Sequence, residues 1–185
     1  EELVDTYGVN PNKIVVTYNG VDPKFNIKVR SQESGVRSFR EKYGICKNYL
    51  LYTGMWKKHK NILRMLSAFE RYAAEQKIED LNLQLVLVGK KDPEEPEVMA
   101  EIDRINDSYK YKEACKKLFV TTGFIDEEEL PIAYAGALAY IIPSLSEGFG
   151  MPPLEAMACG APVISSKESC MPEILGDAAF YFDPY

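Results

Sequence analysis

The most chemically loaded stretch of the sequence is Ser144-Leu145-Ser146-Glu147-Gly148-Phe149-Gly150-Met151-Pro152-Pro153-Leu154-Glu155. Gly148 and Gly150 let a backbone come close to a ligand, and the paired prolines pre-set a first helical turn. The amides around Gly150 and Met151 then point outward at the positive end of a helix, which suits an anion. Glu147 and Glu155 flank this bend, one before it and one in the first turn. Beside a phosphate they would repel it. Placed to either side, they can accept hydrogen bonds from sugar hydroxyls. On the residues alone, a solvated loop acid at Glu147 and a glutamate complementing the helix dipole at Glu155 fit equally well.

Two further strand-to-helix junctions carry chemistry. In Thr53-Gly54-Met55-Trp56-Lys57-Lys58-His59-Lys60-Asn61, three lysines crowd in just before a helix. A lysine there can neutralise a diphosphate as a point charge, or the stretch is a solvated basic loop. Thr121-Thr122-Gly123-Phe124-Ile125-Asp126 can hold a planar base against Phe124 or Ile125, or is a plain turn with a capping aspartate. Absences narrow the choice. No G-x-G-x-x-G, P-loop, D-x-D or G-x-S-x-G string occurs, and His59 is the single histidine. What remains is a metal-free anion site with carboxylates that read sugar.

The elements that must position these loops alternate. Short apolar runs at Ile14-Val15-Val16, Tyr49 to Tyr52, Leu83 to Val88, Leu118 to Val120, Ala139 to Ile142, Val163-Ile164 and Phe180 to Phe182 predict strands. Between them, Ser38 to Tyr43 reads as a helix closed by Gly44. Asn61 is expected to cap a helix whose apolar face is Ile62, Leu66, Phe69 and Ala73. Val98, Met99, Ile102, Ile105 and Tyr109 recur at helical spacing. Asp126 and Glu129 form a capping-box pattern before Leu130 to Gly136. Pro153 to Ala158, closed by Gly160, and a short helix around Glu173 complete the helices. This alternation predicts an α/β domain, a doubly wound parallel sheet with ligands at the carboxyl ends of its strands.

The 185 residues fit one domain, of which the opening 24 are the least domain-like. A net charge of −6 disfavours a nucleic-acid partner. The longest apolar run, Ile132 to Ile142, falls short of the about 20 residues a membrane span needs, and no secretory signal is evident. Cys46, Cys115, Cys159 and Cys170 form no C-x-x-C pair, so reduced thiols in a cytosolic domain are expected.

Taken in order, Asn19-Gly20-Val21-Asp22, Tyr52-Thr53-Gly54 with Lys60-Asn61, Leu85 to Gly89, Thr122-Gly123-Phe124, and Pro143-Ser144 leading into EGFGMPPLEAMACGAPV resemble the C-terminal domain of family 4 (group 1) retaining GT-B glycosyltransferases. The resemblance covers nearly the whole chain. It implies the Rossmann-like C-terminal half of a GT-B fold, with residues 1–24 partly an interdomain segment and the N-terminal acceptor domain absent. By it, Lys60 binds the donor diphosphate and Glu147 the donor sugar, both in catalytic roles. Glu155 grips the ribose, and Phe149, Gly150 and Met151 meet sugar and phosphates. Gly54, Gly123, Phe124 and Leu154 complete the donor contacts. Many relatives carry an arginine where this chain has Met55, so Lys57 or Lys58 is expected to substitute.

The resemblance further implies a GDP- or UDP-hexose donor such as mannose, glucose or galactose, and no metal or other cofactor. The acceptor would be a glycan or a lipid-linked glycan of surface polysaccharide or lipopolysaccharide, held through the missing domain. The setting would be cytoplasmic, with the full enzyme peripheral at the inner face of a membrane, and the isolated chain would bind donor but transfer nothing. A regulatory or inactive nucleotide-sugar-binding module is the alternative that Met55 favours. A GT-B epimerase or phosphorylase lacks the Glu147-to-Glu155 pattern.

Overall fold

The computed structural model describes residues 2–76, 82–90, 92–108 and 117–185. After a single turn α1 (Glu2–Asp5), the chain runs irregularly to α2 (Glu33–Tyr43). Gly44, at φ 67°, ends α2, and the Ile45 N–H donates to Arg40 O at 2.8 Å, which caps the last turn. Six strands follow: β1 (Asn48–Thr53), β2 (Leu83–Val88), β3 (Phe119–Gly123), β4 (Ala139–Ile142), β5 (Val163–Ser166) and β6 (Ala179–Phe182). Between them lie α3 (Ile62–Glu75), α4 (Pro96–Ser108), α5 (Glu129–Ala135), α6 (Met151–Ala158) and α7 (Met171–Leu175).

All strands pair in parallel, in the order β3-β2-β1-β4-β5-β6. Side-chain alternation divides the core in two. Tyr52, Leu85, Leu87 and Phe119 pack with Ile62, Leu66, Phe69, Val98 and Ile102 from α3 and α4. Tyr49, Leu51, Val86, Tyr140, Ile142 and Val163 face the other way, against Phe39, Tyr134, Ala156 and Met171 from α2, α5, α6 and α7. A fully buried leucine such as Leu66 contributes about 2 kcal/mol by its removal from water. From β1 the chain steps outward to β2 and β3, then crosses through α5 to β4 on the opposite side of β1. The strand order therefore reverses between β1 and β4, where Leu50 and Leu51 pair with Ala139 and Tyr140. Sheets of this kind leave a ligand crevice at that reversal, outside the strand carboxyl ends.

Four expectations fail. Ile14-Val15-Val16 lies irregular and pairs with neither sheet edge, and Val15 is 81% exposed. β-branched residues make a strand only where an edge receives them. Asn61 holds the cap position of α3 without a side-chain bond; it takes the left-handed conformation at φ 56°, which asparagine tolerates, and its side chain is drawn elsewhere. The capping box does not close: Glu128 holds the cap position without a side-chain bond. The Glu129 carboxylate goes instead to Lys42 Nζ at 2.7 Å and the Tyr43 hydroxyl at 3.0 Å on α2. Cys46 is disulfide-bonded, not a free thiol, on the exposed turn after α2. Cys159 and Cys170 are free, and burial pushes the Cys159 thiol up to about 11. Cys115 and Tyr109 lie outside the described residues.

Candidate functional site

The ends of β1, β2 and β3 form a floor built from glycine. Gly54, Gly89 and Gly123 sit at φ 144°, 140° and 72°. The Gly54 N–H donates to Val88 O at 3.0 Å, and the Gly89 N–H to Gly123 O at 2.9 Å. A Cβ on Gly89 would lie 2.0 Å from Gly54 O, so backbone meets backbone here with no room for a side chain. Phe124, next along β3, is 81% exposed while Ile125 is buried. Of the two apolar candidates for a base platform, Phe124 alone offers its ring.

Across the crevice, the loop after β1 meets the loop after β4. A single 3-10 turn, Lys58–Lys60, carries Lys60 inward. Its Nζ donates to both Glu147 carboxylate oxygens, at 2.6 and 2.7 Å, with the two side chains only 20% and 12% exposed. The same loops are stitched by the Leu145 N–H to His59 O at 2.8 Å and by the Asn61 amide, which donates to Pro143 O and Pro184 O. Ser169, in the left-handed region at φ 59°, holds Glu147 at its backbone. Its hydroxyl accepts from the Glu147 N–H at 3.1 Å and donates to Glu147 O at 3.0 Å. Lys57 approaches Asp92 at 3.9 Å instead, and Lys58 is exposed. Met55 is half exposed.

Gly150, at φ 85°, starts α6 with no side-chain cap; Pro152 and Pro153 carry no N–H, so the donors at this helix start are those of Gly150 and Met151. Oriented amides at a helix start attract negative charge. The Phe149 ring lies 6.2 Å from that of Tyr18, whose hydroxyl donates to Glu173 at 2.9 Å. Leu154 packs against the apolar cluster beneath. On the next turn Glu155 is half-buried, and the Tyr134 hydroxyl donates to its Oε2 at 2.9 Å. Burial holds the Glu155 carboxyl above the usual 4.5, opposed by the Tyr134 bond and by Lys24.

The structure brings Lys60 against Glu147 and links Thr53, beside Gly54, through Tyr134 to Glu155. Phe149, Gly150 and Met151 lie on the chain between the two glutamates, and Phe124 is exposed just past β3. Lys57 turns aside. Two participants carry no motif, Ser169 and Tyr134, and Asn61 acts through a bridging amide rather than as a cap. Tyr134 lies inside an apolar run, and the one available signal is that a buried tyrosine hydroxyl needs a partner. Among the described residues, no group of three or more His, Cys, Asp and Glu side chains is placed to hold a metal ion. No helix among them is long and apolar enough to cross a membrane.

Residues 36–185 match the model of the family described as glycosyl transferases group 1. The chain is 29% identical over its full length to the serotype-specific mannosyltransferase WbdA of Escherichia coli, spanning 22% of that protein. It is 33% identical over 145 residues, 78% of its length, to the O-antigen chain mannosyltransferase B of Escherichia coli, and spans 35% of that relative. Among solved structures, 96% of the chain superposes on 45% of Anabaena Alr3699/HepE, determined with UDP and glucose, at a TM-score of 0.74 and 21% identity.

Proposed function

Because the chain belongs to the group 1 glycosyltransferases, we propose that it is the donor-binding part of a retaining hexosyltransferase that takes a sugar from a nucleoside diphosphate. Its donor is a GDP- or UDP-hexose. The mannosyltransferases among the relatives favour mannose, and the UDP in the Anabaena neighbour keeps the uridine donors in view. The acceptor is a glycan or lipid-linked glycan of a surface polysaccharide, held by chain outside these residues. On this reading the reaction runs in the cytoplasm, at the inner face of a membrane where the acceptor is lipid-linked.

One observation carries this reading: the Lys60–Glu147 pair joins the loops after β1 and β4, at the reversal in strand order, and Glu147 lies on the loop that leads into the uncapped start of α6. As the glycosidic bond breaks, negative charge grows on the departing diphosphate. In this reading Lys60 and the amides at Gly150 and Met151 receive that charge, and fixed donors of this type contribute about 3 kcal/mol each. Glu147 orients the sugar ring through its hydroxyls, and Glu155 orients the nucleotide through its ribose. Phe124 and the backbone at Gly123 accommodate the base. With Lys57 turned toward Asp92, Lys58 shares the diphosphate charge in place of the arginine absent at Met55.

A melting-temperature panel of GDP-mannose, UDP-glucose, UDP-galactose and ADP-glucose tests the reading, because a ligand of the folded state raises the transition by mass action. One of them stabilises the chain, and Lys60→Met abolishes the shift. A flat panel at millimolar concentration, or a shift indifferent to Lys60→Met, overturns the assignment. The chain by itself is expected to bind donor and transfer no sugar, so turnover with any acceptor contradicts that part.

A further inference from the structure

A line of buried hydroxyls runs beneath the site. Tyr134, on α5, is fully buried and donates to Glu155 Oε2 on α6. An ionised carboxylate only accepts, so the Tyr134 proton is committed to Glu155 and its lone pairs are left for Thr53 Oγ1 at 3.0 Å. Thr53 therefore donates to Tyr134, and its oxygen can accept from the Tyr140 hydroxyl at 3.3 Å. Tyr140 lies equally close to the Thr53 carbonyl, at 3.3 Å. Proton direction is fixed from Thr53 at the end of β1, through Tyr134 on α5, to Glu155 on α6. The Tyr134 ring stands edge-on to Tyr140 at 5.6 Å and to Phe25 at 5.9 Å, so it cannot swing.

Packing accounts for the rings but not for the hydroxyls. A phenylalanine fills the same space without a polar atom to desolvate, so a core role alone gives no reason for three oxygens in line. The line ends on the carboxylate assigned to the ribose and passes through Thr53, one residue before Gly54.

Resting on that ribose assignment, we propose that Tyr134, oriented by Thr53, is the positioning residue that aims the Glu155 carboxylate at the nucleotide ribose. It holds Oε2 and leaves Oε1 to accept from a ribose hydroxyl. The groups facing Glu155 are Tyr134 from α5, Tyr140 from β4, Cys159 just past the end of α6, and Asp22 and Lys24 from the segment before α2. Of those opposing the effect of burial on Glu155, the Tyr134 bond is the largest and Lys24 comes second. Without the Tyr134 hydroxyl the carboxyl protonates at higher pH still, and ribose reading is lost there first.

The test compares calorimetric affinities of GDP and UDP with those of their 2′,3′-dideoxy forms, across pH, in the parent chain and in Tyr134→Phe, Thr53→Val and Glu155→Gln. The parent prefers the ribose form. Tyr134→Phe lowers that preference about tenfold, the worth of one hydrogen bond to a charged group, and moves its acid limb to higher pH. Thr53→Val does the same more weakly, and Glu155→Gln removes preference and acid limb together. Should Tyr134→Phe fail to fold, Thr53→Val decides by the same ratio. A parent that does not distinguish the two forms refutes the ribose assignment and this proposal with it. A parent that distinguishes them, with ratio and acid limb unmoved in Tyr134→Phe or its substitute, refutes the proposal and leaves the assignment standing.

Discussion

In the free protein the lysine assigned to the diphosphate is already occupied. Lys60 spends its charge on both oxygens of Glu147, at 2.6 and 2.7 Å, in a pair largely shielded from water. An incoming diphosphate must break or share those bonds. Each charge-assisted bond is worth about 1.5–3 kcal/mol net, and the phosphate restores most of that, leaving an obstacle of about 1–2 kcal/mol after discounting for exposure. Glu147→Gln keeps the shape and removes the competitor's charge. Bare GDP or UDP then binds about tenfold tighter in this variant. The sugar nucleotide gains less, because glutamine offers one acceptor oxygen and no charge to the hexose hydroxyls, so its advantage over the bare nucleotide falls about tenfold. Breaking the pair also lowers the melting temperature, so affinities are to be taken by calorimetry well below the transition. Low ionic strength keeps the electrostatics visible. Equal weakening of both ligands, or unchanged affinity for the bare nucleotide, would falsify the view that Glu147 restrains Lys60.

Other consequences are open to simpler measurements. Gly89→Ala drives a methyl into Gly54 O from a φ of 140°, and is expected to cost about 2–4 kcal/mol and roughly 5–15 °C in melting temperature. Gly148→Ala meets nothing within 4 Å and should leave the transition in place. Burial raises the folded-state pKa of Glu155 above 4.5, so the stability it contributes is complete at low pH and is lost as pH rises through the raised value. Glu155→Gln should therefore melt higher than the parent at neutral pH, with the gap closing in acid. Glu129 is shifted the other way: the Lys42 hydrogen bond holds its carboxyl below 4.5. Its contribution is present above 4.5 and disappears as pH falls through the folded value, so Glu129→Gln should flatten the acid side of a plot of melting temperature against pH.

Local chemistry made much of this legible in the sequence. Leu83 to Val88 is an apolar run stopped by Gly89, and the strand begins and ends where that run does. Gly150 and the two prolines after it start α6 because φ above zero and a pre-set first turn are properties of those residues themselves. The misreadings share a different cause. Asn61, Asp126 and Glu129 each have a local capping chemistry, and in each a distant or backbone partner won. Asn61 bonds carbonyls at 143 and 184, and Glu129 bonds Lys42 and Tyr43, 87 and 86 positions away. Ile14 to Val16 has strand composition, but composition cannot supply an edge. The pairing of Lys60 with Glu147 also spans 87 positions, so no spacing rule could find it. The family resemblance assigns both residues to one donor, and the structure pairs them with each other. Tyr134 and Ser169 stayed hidden because buried hydroxyls and single-serine clamps leave no periodic trace.

The most direct trial is a crystal structure of the chain with GDP-mannose or UDP-glucose. Diphosphate oxygens are expected within about 3 Å of Lys60 Nζ and the backbone nitrogens of Gly150 and Met151, with the ribose against Glu155. A diphosphate seated elsewhere, for instance against Lys57 or in the groove lined by Arg64, Phe69 and Phe182, would contradict the account.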